Sequence, residues 1–208
     1  MSTETKIFLG VIGGTFLLII AAALFSGSNS SLPADNSAPV SESVLIRPDS
    51  HQTGSDSARV TVVEFSDFEC PACKAAEPEV ENLISQYKDQ ILFVDRNFPL
   101  PAHQYAFTAA AAAEAAGLQM KYWDYHNELF RISPDLTRDN LIGLAHKLNL
   151  DVSKFAADMD SDAVRQRVLD DQADGNKAGV NATPTFFVNG KKIVGASGLE
   201  AAIAQALK

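Results

Sequence analysis

The sequence predicts an α/β domain with a long helical insertion, carried behind a single N-terminal transmembrane helix. Three observations lead there. Two runs rich in β-branched and aromatic residues, Arg59–Phe65 and Ile91–Phe98, enclose a segment with helical spacing at Val80, Leu83, Ile84 and Tyr87. From about 102 to 178 the chain reads as helical throughout, before a hairpin signal and a last helix. Upstream, Ile7–Phe25 is nineteen residues without a charge, enough to cross a bilayer core.

The N-terminus divides by composition. Residues 1–6 are polar, and Lys6 precedes the apolar run while no Lys or Arg follows until Arg47. The positive-inside rule then puts 1–6 in the cytoplasm, spans the membrane with 7–25 and places the remainder outside. A cleaved signal peptide is the alternative, since Ala21-Ala22-Ala23 fits a small-residue cleavage site. The apolar run continues through Leu24 and Phe25, which favours the uncleaved anchor. Residues 26–43 are rich in Ser, Asn, Pro and Asp and read as a flexible linker. Residues 44–208 then form the folded domain.

Within that domain Val44–Ile46 reads as a short opening strand and Arg47–Ser57 as turns. Ala106–Ala116 is dominated by alanine, a strong helix former small enough for close packing. Thr137, Asp151 and Asp160 read as the starts of three further helices, the last ending near Gly179. Thr185–Val188 and Lys192–Val194 flank Asn189-Gly190, a two-residue hairpin turn. Ser197-Gly198-Leu199-Glu200 reads as a capping box for the final helix.

Cys70-Pro71-Ala72-Cys73 holds both cysteines of the 208-residue chain. It sits where the first strand passes into a helix, so Cys70 lies at a helix N-terminus. There unpaired N–H groups and the macrodipole favour a thiolate. A zinc site would need four ligands, and neither a second cysteine pair nor a suitably spaced histidine pair exists among His51, His103, His126 and His146. A disulfide between residues three apart closes too small a loop to be a useful structural staple. Thiol–disulfide exchange fits best, with Cys70 as exposed nucleophile and Cys73 as buried resolving thiol. The acidic side chains of Asp67, Glu69, Glu77, Glu79 and Glu81 read mostly as a solvated rim, and His103, His126 and Trp123 as packing or surface residues. Negative charge at Asp67 and Glu69 opposes a Cys70 thiolate.

Val62-Val63-Glu64-Phe65-Ser66-Asp67-Phe68-Glu69-Cys70-Pro71-Ala72-Cys73 resembles the active-site segment of the DsbA-like thiol:disulfide oxidoreductases, a family with the thioredoxin fold. Pro78 is similar to the kink proline of their active-site helix, and Val180–Gly190 resembles their cis-proline loop and following strand. The resemblance runs from about Val44 to the C-terminus and implies a thioredoxin fold with a helical insertion. It implies a cis Thr183–Pro184 bond facing the cysteines, where composition alone equally permits a trans turn. It makes Cys70 the sulfur that forms mixed disulfides, and Thr183, Pro184, Pro71 and Ala72 the substrate-binding set. Glu64 takes the position of the family's buried acid, able to relay the Cys73 proton. A solvent-facing strand glutamate is the other reading of Glu64.

The implied activity is disulfide formation in exported cysteine-containing proteins, with reoxidation by a quinone-linked membrane partner and no bound cofactor or metal. One departure bears on strength. Strong oxidases of the family carry His where this chain has Ala72, so one thiolate donor is missing and a weaker oxidant is expected. A membrane-tethered reductase or isomerase uses the same motif. A metal-handling module is a third reading, with His103 its one available additional ligand. A net charge of −9 with no basic stripe excludes nucleic acid as a partner class.

Overall fold

The computed structural model describes residues 38–208. The expected cytoplasmic residues 1–6, the membrane segment 7–25 and the linker up to residue 37 lie outside the described residues. Among those described, no helix is long and apolar enough to cross a membrane.

Five strands form one sheet in the order β1-β3-β2-β4-β5. They are β1 (His51–Gly54), β2 (Val60–Ser66), β3 (Ile91–Asn97), β4 (Thr185–Val188) and β5 (Lys191–Val194). β2 and β3 run parallel, joined by the active-site helix, while β1, β4 and β5 add antiparallel. The eight helices among the described residues are α1 (Glu42–Leu45), α2 (Pro71–Tyr87), α3 (Ala106–Gly117), α4 (Tyr122–Ile132), α5 (Arg138–Lys147), α6 (Val152–Met159), α7 (Asp162–Lys177) and α8 (Leu199–Ala206). Helices α3 to α7 are the insertion between β3 and β4.

Alternation along β2 and β3 divides the sheet core in two. Val60, Val62 and Phe93 pack with Ala76, Val80 and Leu83 of α2 and with Leu199 and Ile203 of α8. Val63, Phe65 and Val94 face the other way, against Leu45, Phe98, Ala178 and Phe187. A third cluster fills the insertion: the small residues of α3 let Tyr125, Leu129, Phe130, Leu141 and Phe155 approach from its neighbours. Phe68, Cys70 and Cys73 belong to this cluster. The insertion therefore builds one wall of the cysteine site.

Several local expectations differ from the structure. Val44 and Leu45 lie in the helical turn α1, because Glu42–Leu45 closes i→i+4 bonds instead of finding a sheet edge. The polar run taken as turns contains β1, whose exposure alternates on an edge strand. Residues at the end of the expected linker are already docked: the Val40 N–H donates to the Gly190 carbonyl at 2.8 Å. Asp160 ends α6, and Ser161 caps α7 instead, its side chain accepting from the Val164 N–H. Asp151 does cap α6 through the Lys154 N–H. Neither Thr137 nor the Ser197–Glu200 box makes a side-chain cap; Gly198 precedes α8 with φ of 89°. The hairpin turn has positive φ at both Asn189 (46°) and Gly190 (79°), the pairing that matches strand twist.

Candidate active site

Cys70 is the N-cap of α2, with φ −70° and ψ 122°, and Pro71 occupies the first turn where its missing N–H costs nothing. The sheet feeds this position directly. β2 ends at Ser66, and the Cys70 N–H closes a turn onto the Asp67 carbonyl at 3.0 Å. From the opposite side comes the loop before β4, where Thr183–Pro184 is cis. It brings the Thr183 carbonyl 3.5 Å from Cys70 Sγ. Both cysteines are free thiols. Pro71 and Ala72 stand exposed beside them, whereas Cys70 is only 7 % exposed, less open than the sequence reading expects. Phe68 and the cis-proline loop cover its flanks.

The two thiols are made chemically unequal. Hydrogen bonding from the Cys73 thiol, joined by the backbone N–H groups of Cys73 and Ala72, holds Cys70 down from 9.0 to about 5. Burial opposes this, and the contact of the Cys70 thiol with the Thr183 carbonyl also favours the protonated sulfur. The converging donors outweigh both. Cys73 is pushed far upward, first by burial, then by its bond to Cys70 and by Glu64. One sulfur is thus a thiolate at neutral pH and its neighbour a firmly protonated thiol.

Asp67 is a buried anchor, which corrects its expected place on a solvated rim. It accepts the Glu69 N–H at 2.8 Å and the Leu100 N–H at 2.7 Å, and sits 2.8 Å from His103 Nδ1. That last contact holds His103 above its ordinary value. The Glu69 carboxylate likewise accepts the Tyr105 N–H. Both acids thereby fix the loop between β3 and α3 over the cysteines, with their charge turned toward donors. His103 offsets the acids beside Cys70, a role that the sequence reading assigned to packing.

Glu64 lies on β2 facing α2 and is 2 % exposed, which removes the solvent-facing alternative. Burial raises it well above the usual carboxylate range, with Asp95 and Glu77 adding repulsion. Glu77, also expected on the rim, is buried and raised to about 7 for the same first reason. Asp95 sits in register with Glu64 on β3 and accepts from the hydroxyls of Ser66 and Tyr122. Sequence spacing gave no signal for this cluster, because Asp95 and Glu77 reach Glu64 from different elements. Among the described residues no group of three His, Cys, Asp or Glu side chains is arranged to hold a metal.

The family model described as thioredoxin matches residues 47–206. The chain belongs to this family. It is similar to a thioredoxin-like oxidoreductase from Silicibacter pomeroyi DSS-3, with 30% identity and a TM-score of 0.73, covering 80% of this chain and 98% of that one. The thiol-disulfide exchange protein alpha-DsbA2 from Wolbachia pipientis shares the fold, with TM-score 0.71 at 21% identity over 78% of this chain and 89% of that one. A curated relative from Salinispora arenicola, named Na(+)/H(+) antiporter NhaA 1, is 40% identical over 160 residues, which is 76% of this chain and 24% of the relative. The chain therefore spans about a quarter of the length of that antiporter. Fold and motif geometry together make this a thioredoxin-fold protein with its cysteine pair at the start of α2.

Proposed function

We propose that Cys70 and Cys73 are the redox centre of a thiol:disulfide oxidoreductase that forms disulfides in cysteine-containing proteins outside the cytoplasm. The observation that carries this is the inequality of the two thiols at a helix N-terminus, with Cys70 held at about 5. A reduced form stabilised as thiolate makes the corresponding disulfide the stronger oxidant. In turnover, a client thiolate bonds to Cys70 Sγ, the Cys70–Cys73 bond breaks, and Cys73 leaves with the electron pair and takes up a proton. A second client thiolate attacks the client sulfur of the mixed disulfide and releases Cys70 as thiolate. The client has lost two electrons and the enzyme has gained them. A quinone-linked membrane partner would return the centre to its disulfide.

Thr183, Pro184, Pro71 and Ala72 border the Cys70 sulfur and offer an extended client peptide backbone and apolar contacts on two sides. Residues 7–25 would tether the domain to the membrane, with the catalytic domain beyond it. Antiport, the named activity of the curated relative, rests on whole proteins of which this chain matches about a quarter. Cysteine exchange rests on residues present in this chain.

Equilibration of the purified protein with glutathione buffers tests direction. A midpoint well above that of thioredoxin at about −270 mV, though short of the strongest oxidases at about −120 mV because Ala72 supplies no side-chain donor, supports disulfide formation. A thioredoxin-like value instead assigns the reductase role. In parallel, Cys73→Ser is expected to accumulate client mixed disulfides on Cys70, and Cys70→Ser to accumulate none. Equal trapping by both variants would overturn the division of labour.

A further inference from the structure

We infer that His126 carries protons between the buried Glu64–Asp95–Glu77 cluster and solvent, so that the cavity beside it is the proton port for Cys73. This rests on the oxidoreductase reading, which requires Cys73 to gain a proton as it leaves the disulfide and lose one on reoxidation. Cys73 is 1 % exposed, and Glu64 beneath it is 2 % exposed, so neither can exchange directly with bulk water.

The path onward is laid out in side chains. Glu64 and Asp95 are register partners on adjacent parallel strands, with side chains on one face. His126 of α4 stands between two of the acids: Nε2 is 3.9 Å from Asp95 Oδ2 and Nδ1 is 3.7 Å from Glu77 Oε1. Each gap is one that a bridging water or a small rotation closes. An imidazole so placed takes a proton at one nitrogen and releases it at the other. His126 Nε2 is buried and has no hydrogen-bond partner, an orphan that ordinary packing leaves unexplained. The ring is held edge-on by Phe68, Trp123 and Phe130, which fixes its direction.

Glu77, His126 and Asn127 line a cavity of about 240 Å³ together with Glu81, Ser85 and Trp123. Asn127 Oδ1 lies 3.0 Å from His126 Nδ1 at this end. The titratable groups beside the imidazole are Glu77 from α2, Asp95 from β3 and Tyr122 from α4, with Glu81, Arg131 and, on β2, Glu64 acting on Glu77 or the cluster behind it. His51 stacks on Tyr122 from β1.

The step balances. When the Cys70–Cys73 bond breaks, Cys73 takes the electron pair and the Glu64 carboxyl proton. Glu64 is reprotonated through Asp95, His126 and Glu77, and water in the cavity supplies the proton. Reoxidation runs the same transfers backward. His126 touches neither sulfur and acts through Glu64, so it is a positioning residue for the proton.

The test measures reduction of the oxidised full chain by excess dithiothreitol at several pH values, in H₂O and D₂O, for wild type, His126→Gln and His126→Ala. Both variants are expected to slow the reduction about tenfold and enlarge the solvent isotope effect, a loss smaller than the roughly 10²–10⁴-fold of a direct acid–base group because His126 acts through Glu64. Their glutathione midpoints should match wild type. His126→Ala opens the cavity, and added imidazole should restore its rate while leaving His126→Gln slow. Unchanged rates in both variants overturn the port. Slowed rates accompanied by a shifted midpoint and no imidazole rescue mean that the ring only packs, which also overturns it. Should His126→Ala fail to fold, the rate and isotope effect of His126→Gln decide. Wild-type protein that exchanges with no thiol at all defeats the oxidoreductase reading; exchange in wild type matched by the variants defeats the port alone.

Discussion

At the scale of single residues, the poise of the site turns on how many donors reach one sulfur. Ala72 supplies only its backbone N–H, and its exposed side chain leaves room for a larger one. Ala72→His is therefore expected to add one charge-assisted donor to the Cys70 thiolate, worth about 1.5–3 kcal/mol. That corresponds to a midpoint about 30–60 mV more oxidising, with a parallel fall in the Cys70 pKa. Thiolate absorbance and glutathione equilibria in both backgrounds check this, and an unchanged midpoint would mean that local thiolate stabilisation does not set the poise. The Cys-x-x-Cys pair was legible in the sequence as a local pattern in a strong context, whereas the cis Thr183–Pro184 bond and the buried place of Glu64 followed only from the family resemblance. Asp67 and Glu77 were not, since an acid beside a helix start or on a helix face looks solvated until its neighbours are known. His103 and His126 belong to the same class. Their partners lie 36 positions away at Asp67, and at Asp95 and Glu77, separations at which spacing carries no signal.

At the scale of elements, the sequence was most readable where periodicity ran long and least where edges met. The central strands, the active-site helix, the alanine helix and the Asn189-Gly190 hairpin follow from composition and period. β1 was missed because a four-residue edge strand with alternating exposure has the polarity of a loop. The segment before it differs because Val44 and Ile46 are β-branched and favour a strand, whereas packing of Leu45 against the sheet face decided for a helical turn. The hairpin and this segment are coupled. At Gly190 an added Cβ would lie 2.5 Å from the Val40 carbonyl oxygen, and φ is already 79°. Gly195 has φ of 75° with nothing within 4 Å of its Cβ position. Gly195→Ala should thus cost only the backbone strain, about 1–3 kcal/mol. Gly190→Ala should cost about 1 kcal/mol or more beyond that, by weakening the bond from the Val40 N–H. Urea unfolding of the two variants gives the difference, and equal losses would show that the Val40 segment adds nothing to the hairpin.

For the whole molecule, the oxidation state and pH are linked through the same two sulfurs. In the reduced protein Cys70 is held at about 5 against 9.0 for an unperturbed thiol. Above pH 9 folded and unfolded chains both carry this thiolate, and its full stabilisation is present. Between 9 and 5 the unfolded chain binds a proton that the folded chain does not, so stability falls with falling pH until the contribution vanishes below 5. Cys73 acts with the opposite sign: its raised value keeps a thiol in the fold, and its contribution is lost as pH rises past the unfolded value near 9. The disulfide form has neither group. Glu64, raised by burial, and Glu77, raised to about 7, titrate in both redox forms. They make both less stable as pH climbs from 4.5 toward 7 and cancel to first order in the comparison. The stability of the reduced form relative to the oxidised form is therefore expected to rise from pH 5, peak near 9 and decline beyond it. Its amplitude is on the order of a few kcal/mol once solvent screening at the helix end is counted. Guanidinium unfolding of both redox forms across pH 4–10 reads the difference directly. A flat profile would mean that the Cys70 thiolate is no better held in the fold than in the unfolded chain. The oxidising direction of the centre would then lose its physical basis, because the same stabilisation that favours the folded dithiol is what draws electrons from a client.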